Sequence, residues 1–165
     1  MSALRTKKTC CEFVLLSPST KKLRDDMSEI INGGCLCSEV EYSVKNDFIF
    51  LLFCHCEQCR NISGSAHASN LFSATDSLKW LRGGDLVKLF RHPNRDFTKA
   101  FCGNCGSGLP YASLSGNLVI VPAGSLHSEP RFQKAAKVFH TERTNWTPSD
   151  IEFEEFEHFP SYFTD

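Results

Sequence analysis

The sequence predicts a mainly β protein, on three observations. Val40, Tyr42 and Val44 alternate with the polar residues Glu41 and Ser43, the period of a half-buried strand. The apolar runs 48–53 and 118–121 are short, with β-branched and aromatic residues that suit buried strands. Only one stretch, residues 57–62, reads as helical, and only for one or two turns, with Gly64 as its C-terminal stop.

At 165 residues the chain has the length of one domain with a sizeable core. Its hydrophobic fraction of 41% and charged fraction of 22% are those of an ordinary globular protein. Fourteen Phe suit strands that bury bulky residues on one face. The apolar runs are too short for a transmembrane helix.

Charge is uneven along the chain. Residues 1–24 hold Arg5, Lys7, Lys8, Lys21, Lys22 and Arg24 against Glu12, a net of +5, which leaves −6 for residues 25–165. An acidic body argues against nucleic acid as a partner, because phosphate backbones are bound through basic patches. Residues 1–26 read as a basic, disordered extension, with Met27 as an alternative start and Cys10 and Cys11 as incidental thiols. A mitochondrial transit peptide is the competing reading of that basic, Ser/Thr-containing segment. Residues 27–165 then form a single domain, expected in the cytoplasm or nucleus.

Taken in order, Gly33 and Gly34 precede Cys35 and Cys37 and are expected to bend the backbone there. The bend matters because two residues i and i+2 in a flat strand lie roughly 6.6 Å apart. Two sulfurs bound to one zinc at about 2.3 Å must come closer than that. Residues 40–44 form the first expected strand. Residues 48–53 read as a fully buried strand that runs into Cys54, and residues 67–72 resume an extended pattern. The segment 78–84 ends in a Gly-Gly turn, 85–90 is a strand and 92–96 a loop. Cys102 and Cys105 form a Cys-X-X-Cys knuckle with Gly103 and Gly106 after its cysteines. Residues 118–121 and 135–140 are further strands. In the acidic tail 150–157, Ile151, Phe153 and Phe156 are expected to pack one face on the body.

Nine cysteines are an odd number for a disulfide framework, and their Cys-X-Cys and Cys-X-X-Cys spacing reads as thiolate–metal chemistry in a reducing compartment. Without Cys10 and Cys11 they fall into groups of two, three and two. A closed structural zinc site takes four ligands, and a catalytic one takes three with an open position. Pairing Cys35 and Cys37 with Cys102 and Cys105 closes one site and leaves Cys54, Cys56 and Cys59 as an open one. The alternatives join one pair to the triplet and leave the other pair unused, or make all seven core or redox thiols. Zinc at an open site lowers the pKa of a bound thiol and so makes it a nucleophile at neutral pH. His55, His67 and Glu57 are the candidates for a fourth ligand or acid–base group. His55, in an extended segment, points away from its cysteine neighbours and reads as a supporting residue.

Three elements in order carry a resemblance: Gly33-Gly34-Cys35-Leu36-Cys37; Cys54-His55-Cys56, Cys59-Arg60 and Ser63-Gly64-Ser65; and Phe101-Cys102, Cys105-Gly106-Ser107 and Leu109. Together with Gly124-Ser125-Leu126 and Trp146, the chain from about residue 30 to 160 resembles the glutathione-dependent formaldehyde-activating enzyme family, which includes centromere protein V. The resemblance implies a β-tent, antiparallel sheets built around zinc with short helical turns. It implies two zinc ions, a structural one on Cys35, Cys37, Cys102 and Cys105 and a catalytic one on Cys54, Cys56 and Cys59. The implied reaction is a carbon–sulfur lyase type that joins a small-molecule thiol, glutathione, to formaldehyde as S-hydroxymethylglutathione. Arg60 is a candidate for a glutathione carboxylate. The chain departs from the family at Ser38, where Gly is usual, and at Lys137-Val138-Phe139, where His-Ile-Phe is usual. The alternative reading, from the centromere-protein relatives, is a non-enzymatic zinc module that binds protein or chromatin.

Overall fold

The computed structural model describes residues 30–147 and 153–160. The expectations for residues 1–26, for Cys10 and Cys11 and for Ile151 lie outside them. Among the described residues, eleven strands form three sheets, accompanied by one short α-helix. The first sheet joins β1 (Ile30–Gly34), β2 (Glu41–Lys45) and β5 (Lys79–Arg82). The second holds β3 (Phe48–Cys54), β4 (Ala68–Ala74), β9 (Tyr111–Ala112), β10 (Leu118–Pro122) and β11 (Phe132–Val138), in the order β11-β3-β4-β10-β9. The third is β6 (Val87–Arg91), β7 (Thr98–Cys102) and β8 (Gly108–Leu109). Helix α1 (Glu57–Ser63) follows β3 directly.

Pairing is antiparallel throughout except between β3 and β11, which run parallel with Cys54 opposite Val138. The core lies where the sheets meet. Val40, Tyr42 and Val44 are completely buried together with Phe48, Leu71, Ala100, Leu109 and Val121, each apolar side chain contributing on the order of 2 kcal/mol by leaving water. Cys35 and Cys102 belong to this same cluster. The four-cysteine group is thus part of the core and joins the first sheet to the third.

Four local expectations are corrected. The Gly33–Gly34 pair does not bend the chain: both residues are in register on β1, opposite Tyr42 and Glu41. The turn spans the cysteines themselves: Ser38 N–H bonds Cys35 O at 3.0 Å, and Ser38, whose φ of 60° is left-handed, closes it. Arg82 holds it there, donating from Nη2 to the Ser38 carbonyl oxygen and, at 2.9 Å, to Glu41 Oε1. Next, β3 is buried only at its ends, Phe48 and Cys54, and its neighbour β11 is exposed at six of seven positions, with no layer of described residues over that side. Phe48 is accordingly the one phenylalanine in the core among the described residues. Finally, the two described aromatic residues of the tail expectation are not buried: Phe153 and Phe156 are 66% and 53% exposed.

Candidate metal centres and the adjoining cleft

Two groups of thiols come together. The Sγ atoms of Cys35, Cys37, Cys102 and Cys105 all lie within 4.8 Å of one another, and so do those of Cys54, Cys56 and Cys59. None is in a disulfide.

In the group of four, Cys35 and Cys37 Sγ are 3.4 Å apart and Cys37 and Cys102 Sγ 3.9 Å. Four sulfurs around zinc at about 2.3 Å stand roughly 3.8 Å apart, so the donor set fits that ion. Amide donors point at the sulfurs, as thiolates need: Val40 N–H reaches Cys35 Sγ at 3.2 Å and Asn104 Nδ2 reaches Cys37 Sγ at 3.5 Å. Cys105 and Ser107 bring Sγ and Oγ to 3.3 Å. Hydrogen bonds from Ser107, side chain and backbone, and then from Cys37, draw the Cys105 thiol down to about 5. The knuckle is closed by Gly106 N–H to Cys102 O at 2.9 Å, with Gly106 at a φ of 76° that a side chain would resist.

The triplet is assembled differently. Cys54 is the last residue of β3, Cys56 is the N-cap of α1, and Cys59 lies within α1. Gly64, with a φ of 61°, ends the helix where expected, its N–H bonding Arg60 O. Cys54 and Cys56 Sγ are 3.6 Å apart. Burial, reinforced by the neighbouring thiols, pushes Cys59 up, and burial likewise raises Cys54. Three crowded thiols cannot all ionise without a nearby cation. A divalent ion would remove that penalty, so the residues fit a metal here too.

No histidine, aspartate, glutamate or further cysteine joins the triplet among the described residues. His55 faces the other way: 8% exposed, it packs its ring 5.2 Å from His67 and 5.7 Å from His140. Burial and those two imidazoles hold its pKa below the ordinary value. His67 is engaged with Phe53 as well, at 5.2 Å. Glu57 pairs with Arg95 at 4.0 Å, and its N–H bonds Glu142 Oε2 at 3.1 Å.

A cleft of about 750 Å³ lies beside α1. Its walls include Ile62 and Ser63, Lys99 and Phe101, the Gly106–Gly108 loop, and Ser125–His127. The triplet cysteines do not line it. Ile62 and Ser63 are three and four residues after Cys59 and so share its helix face, and Ser63 Oγ donates to Cys59 O at 2.7 Å. Cys35, on the other side, does line the cleft. The cleft therefore runs between the two thiol groups. Arg60 is not among its walls.

Two side chains near the triplet were not expected. Burial lowers the Lys99 ammonium while a Cys59 thiolate raises it. Burial pushes Tyr111 up to about 12, with Cys59 and Cys54 adding to the shift. Both residues are therefore within electrostatic reach of the triplet.

The profile of the family described as glutathione-dependent formaldehyde-activating enzyme matches residues 30–142, which contain all seven of these cysteines. The chain belongs to this family. A crystal structure of a Rhodobacter sphaeroides protein matches with a TM-score of 0.50 and 21% identity, covering 62% of this chain and 100% of that one; the likeness concerns the fold. No curated protein matches. The Ser38 turn accounts for one departure from the family pattern: glycine is usual at a position that here has a left-handed φ. The other departure, Lys137-Val138-Phe139, lies at the end of β11, where Val138 O accepts the His55 N–H at 3.0 Å through the backbone alone. No helix among the described residues is long and apolar enough to cross a membrane.

Proposed function

We propose that this protein is a zinc-dependent carbon–sulfur lyase that joins a small thiol to an aldehyde and catalyses the reverse cleavage. Glutathione and formaldehyde, the pair in the family's name, are the substrates we favour. The single observation that carries the reading is the division of the cysteines: four are gathered in and against the core, and three stand together with no fourth ligand among the described residues.

On this reading Cys35, Cys37, Cys102 and Cys105 hold a structural zinc, and Cys54, Cys56 and Cys59 hold a catalytic one. Zinc on the triplet would supply the Lewis acidity that keeps a substrate thiol ionised at neutral pH. The chain's part is to leave one side of the triplet free for the substrate sulfur and to keep it beside the cleft. In the reaction the thiol sulfur bonds to the aldehyde carbon, the carbonyl π bond breaks, and the proton lost from sulfur ends on the new hydroxyl. Cleavage is the same step reversed, so no further reactant is needed. His55 supports the site by packing behind it on His67 and His140. Residues 27–165 form the zinc-binding domain and 1–26 an extension, and the unpaired thiols suit a reducing compartment such as the cytoplasm.

The test has two parts. Elemental analysis of purified protein is expected to find two zinc per chain, and a single zinc rejects the open site. Exchange between glutathione and formaldehyde is then followed with and without protein. Acceleration over the spontaneous reaction supports the lyase, and its absence with two zinc bound favours a non-enzymatic zinc module.

A further inference from the structure

We propose that Lys99 is the counter-ion for a carboxylate of the thiol substrate, bound in the cleft between α1 and the Gly106–Gly108 loop, which makes the preferred substrate an anionic thiol. The inference rests on the triplet being the place where the substrate sulfur binds.

Lys99 lies on β7, where Thr98, Ala100 and Cys102 are buried and Lys99 and Phe101 alternate with them. In a strand that alternation puts Lys99 and Phe101 on one face, and both line the cleft. The ammonium lies over Gly108, on the paired strand β8, where a Cβ would sit 3.0 Å from Lys99 Nζ. A larger residue at 108 would displace it. The cation is thus laid along the cleft wall, partly withdrawn from water.

An amine in that position ordinarily has an acid beside it, since burying an unpaired charge costs stability. Among the described residues the cleft lining contains no Asp or Glu. The ion pairs found among the described residues are Lys45–Asp76, Arg82–Glu41 and Arg95–Glu57, and none includes Lys99. Its electrostatic neighbour is Cys59, a triplet residue. A cation partly withdrawn from water, without a carboxylate partner among the described residues and lining an open cleft within electrostatic reach of Cys59, is suited to an anion carried by the ligand. The rest of the lining matches a small polar molecule: Ser63, Ser107 and Ser125 offer hydroxyls, and His127 a second nitrogen donor. One ammonium and several neutral donors favour a singly charged carboxylate over a phosphate, for which a cluster of cations is usual. Arg60 is outside this cleft, so Lys99 takes the role that sequence adjacency to Cys59 suggested for Arg60.

The experiment is calorimetric titration of the zinc-loaded protein with glutathione and with its diethyl ester, in which both carboxylates are neutral. Wild type is expected to bind the free acid about tenfold more tightly, the worth of one charge-assisted hydrogen bond. Lys99→Gln is expected to lose the preference by weakening glutathione alone, and Lys99→Arg to keep most of it. Thermal melting of Lys99→Gln should be unchanged or higher, because the variant removes a desolvated charge. A preference that survives in Lys99→Gln, or wild type that does not discriminate, overturns the inference. Cys56→Ser separates the two readings: it should weaken both ligands equally and keep their ratio. Unchanged glutathione binding in that variant would reject the triplet as the thiol site, whereas the ratio alone judges Lys99.

Discussion

Cys35 and Val40 exchange hydrogen bonds in both directions: Cys35 N–H reaches Val40 O at 3.0 Å, and Val40 N–H reaches Cys35 Sγ at 3.2 Å. The turn that orients the thiol is therefore held by the thiol. Because Val40 is wholly buried and Cys35 nearly so, the four-cysteine group is inseparable from the core. The triplet is not, since none of Cys54, Cys56 and Cys59 belongs to the core cluster that holds Cys35 and Cys102.

That difference predicts opposite consequences for two conservative substitutions. Cys102→Ser should release one zinc and unfold the domain, since a structural zinc contributes on the order of 10 kcal/mol of folding free energy. Cys56→Ser should also release one zinc, yet keep the circular dichroism spectrum and lose no more than about 2 kcal/mol in denaturant. Metal content measured beside a melting curve distinguishes the two outcomes.

Ser38→Gly should stabilise the protein. Serine at a φ of 60° carries a left-handed penalty of about 1–2 kcal/mol, part of which the greater unfolded-state freedom of glycine offsets. The net gain expected is about 0.5–1 kcal/mol, or roughly 2–3 °C in melting temperature for a chain of this size. The Arg82 hydrogen bond to the Ser38 carbonyl is retained, so activity should not change.

Gly33→Ala should destabilise by about 2–3 kcal/mol. A Cβ there would run into the Tyr42 ring and the Ser125 carbonyl oxygen. The ring belongs to a fully buried residue and the oxygen to the backbone, so neither gives way readily. Chemical denaturation monitored by tryptophan fluorescence measures the loss, with Trp80 5.9 Å from Tyr42 as a local reporter.

Stability should fall at alkaline pH through Tyr42. Burial raises this phenol from 10.0 to about 12, against a smaller lowering by Ser125. The unfolded chain releases the proton near pH 10 and the folded one does not. The contribution is therefore complete below pH 10 and lost between pH 10 and about 12, on the order of 2 kcal/mol. Tyr42→Phe should flatten that part of the pH profile. Ser125 Oγ keeps its bond to Pro122 O at 2.7 Å, so the variant should fold. Urea midpoints at pH 9 and 11 provide the comparison.

Much of the fold was legible because its strands are short and marked either by alternation, as at 40–44, or by brief apolar runs, as at 48–53 and 118–121. Val40, Tyr42 and Val44 signal one buried face and are buried on it. The helix was legible from Gly64, which ends it. β1 was not, because Gly33 and Gly34 carry no hydrophobic pattern; Gly33 is required by the approach of the Tyr42 ring and Gly34 by that of the Val40 carbonyl oxygen, contacts made across the sheet. The exposure of β3 was equally hidden, because an apolar run does not reveal whether a second layer covers it. Lys99 gave only a faint signal, a lysine between Thr98 and Ala100, and its meaning depends on a cleft made by distant segments.

The sequence by itself determined which residue types could bind metal and in what numbers, since ligand chemistry is local and cysteine spacing records it directly. The tertiary structure decided which pairs meet, because Cys35 and Cys102 come together only through the packing of the first sheet on the third. It also decided what surrounds the triplet: imidazoles packed on His55 between its cysteines, and a cleft whose ammonium has no ion-pair partner among the described residues. Electrostatic surroundings are set by distances between residues far apart in the chain, and those distances exist only once the sheets have closed.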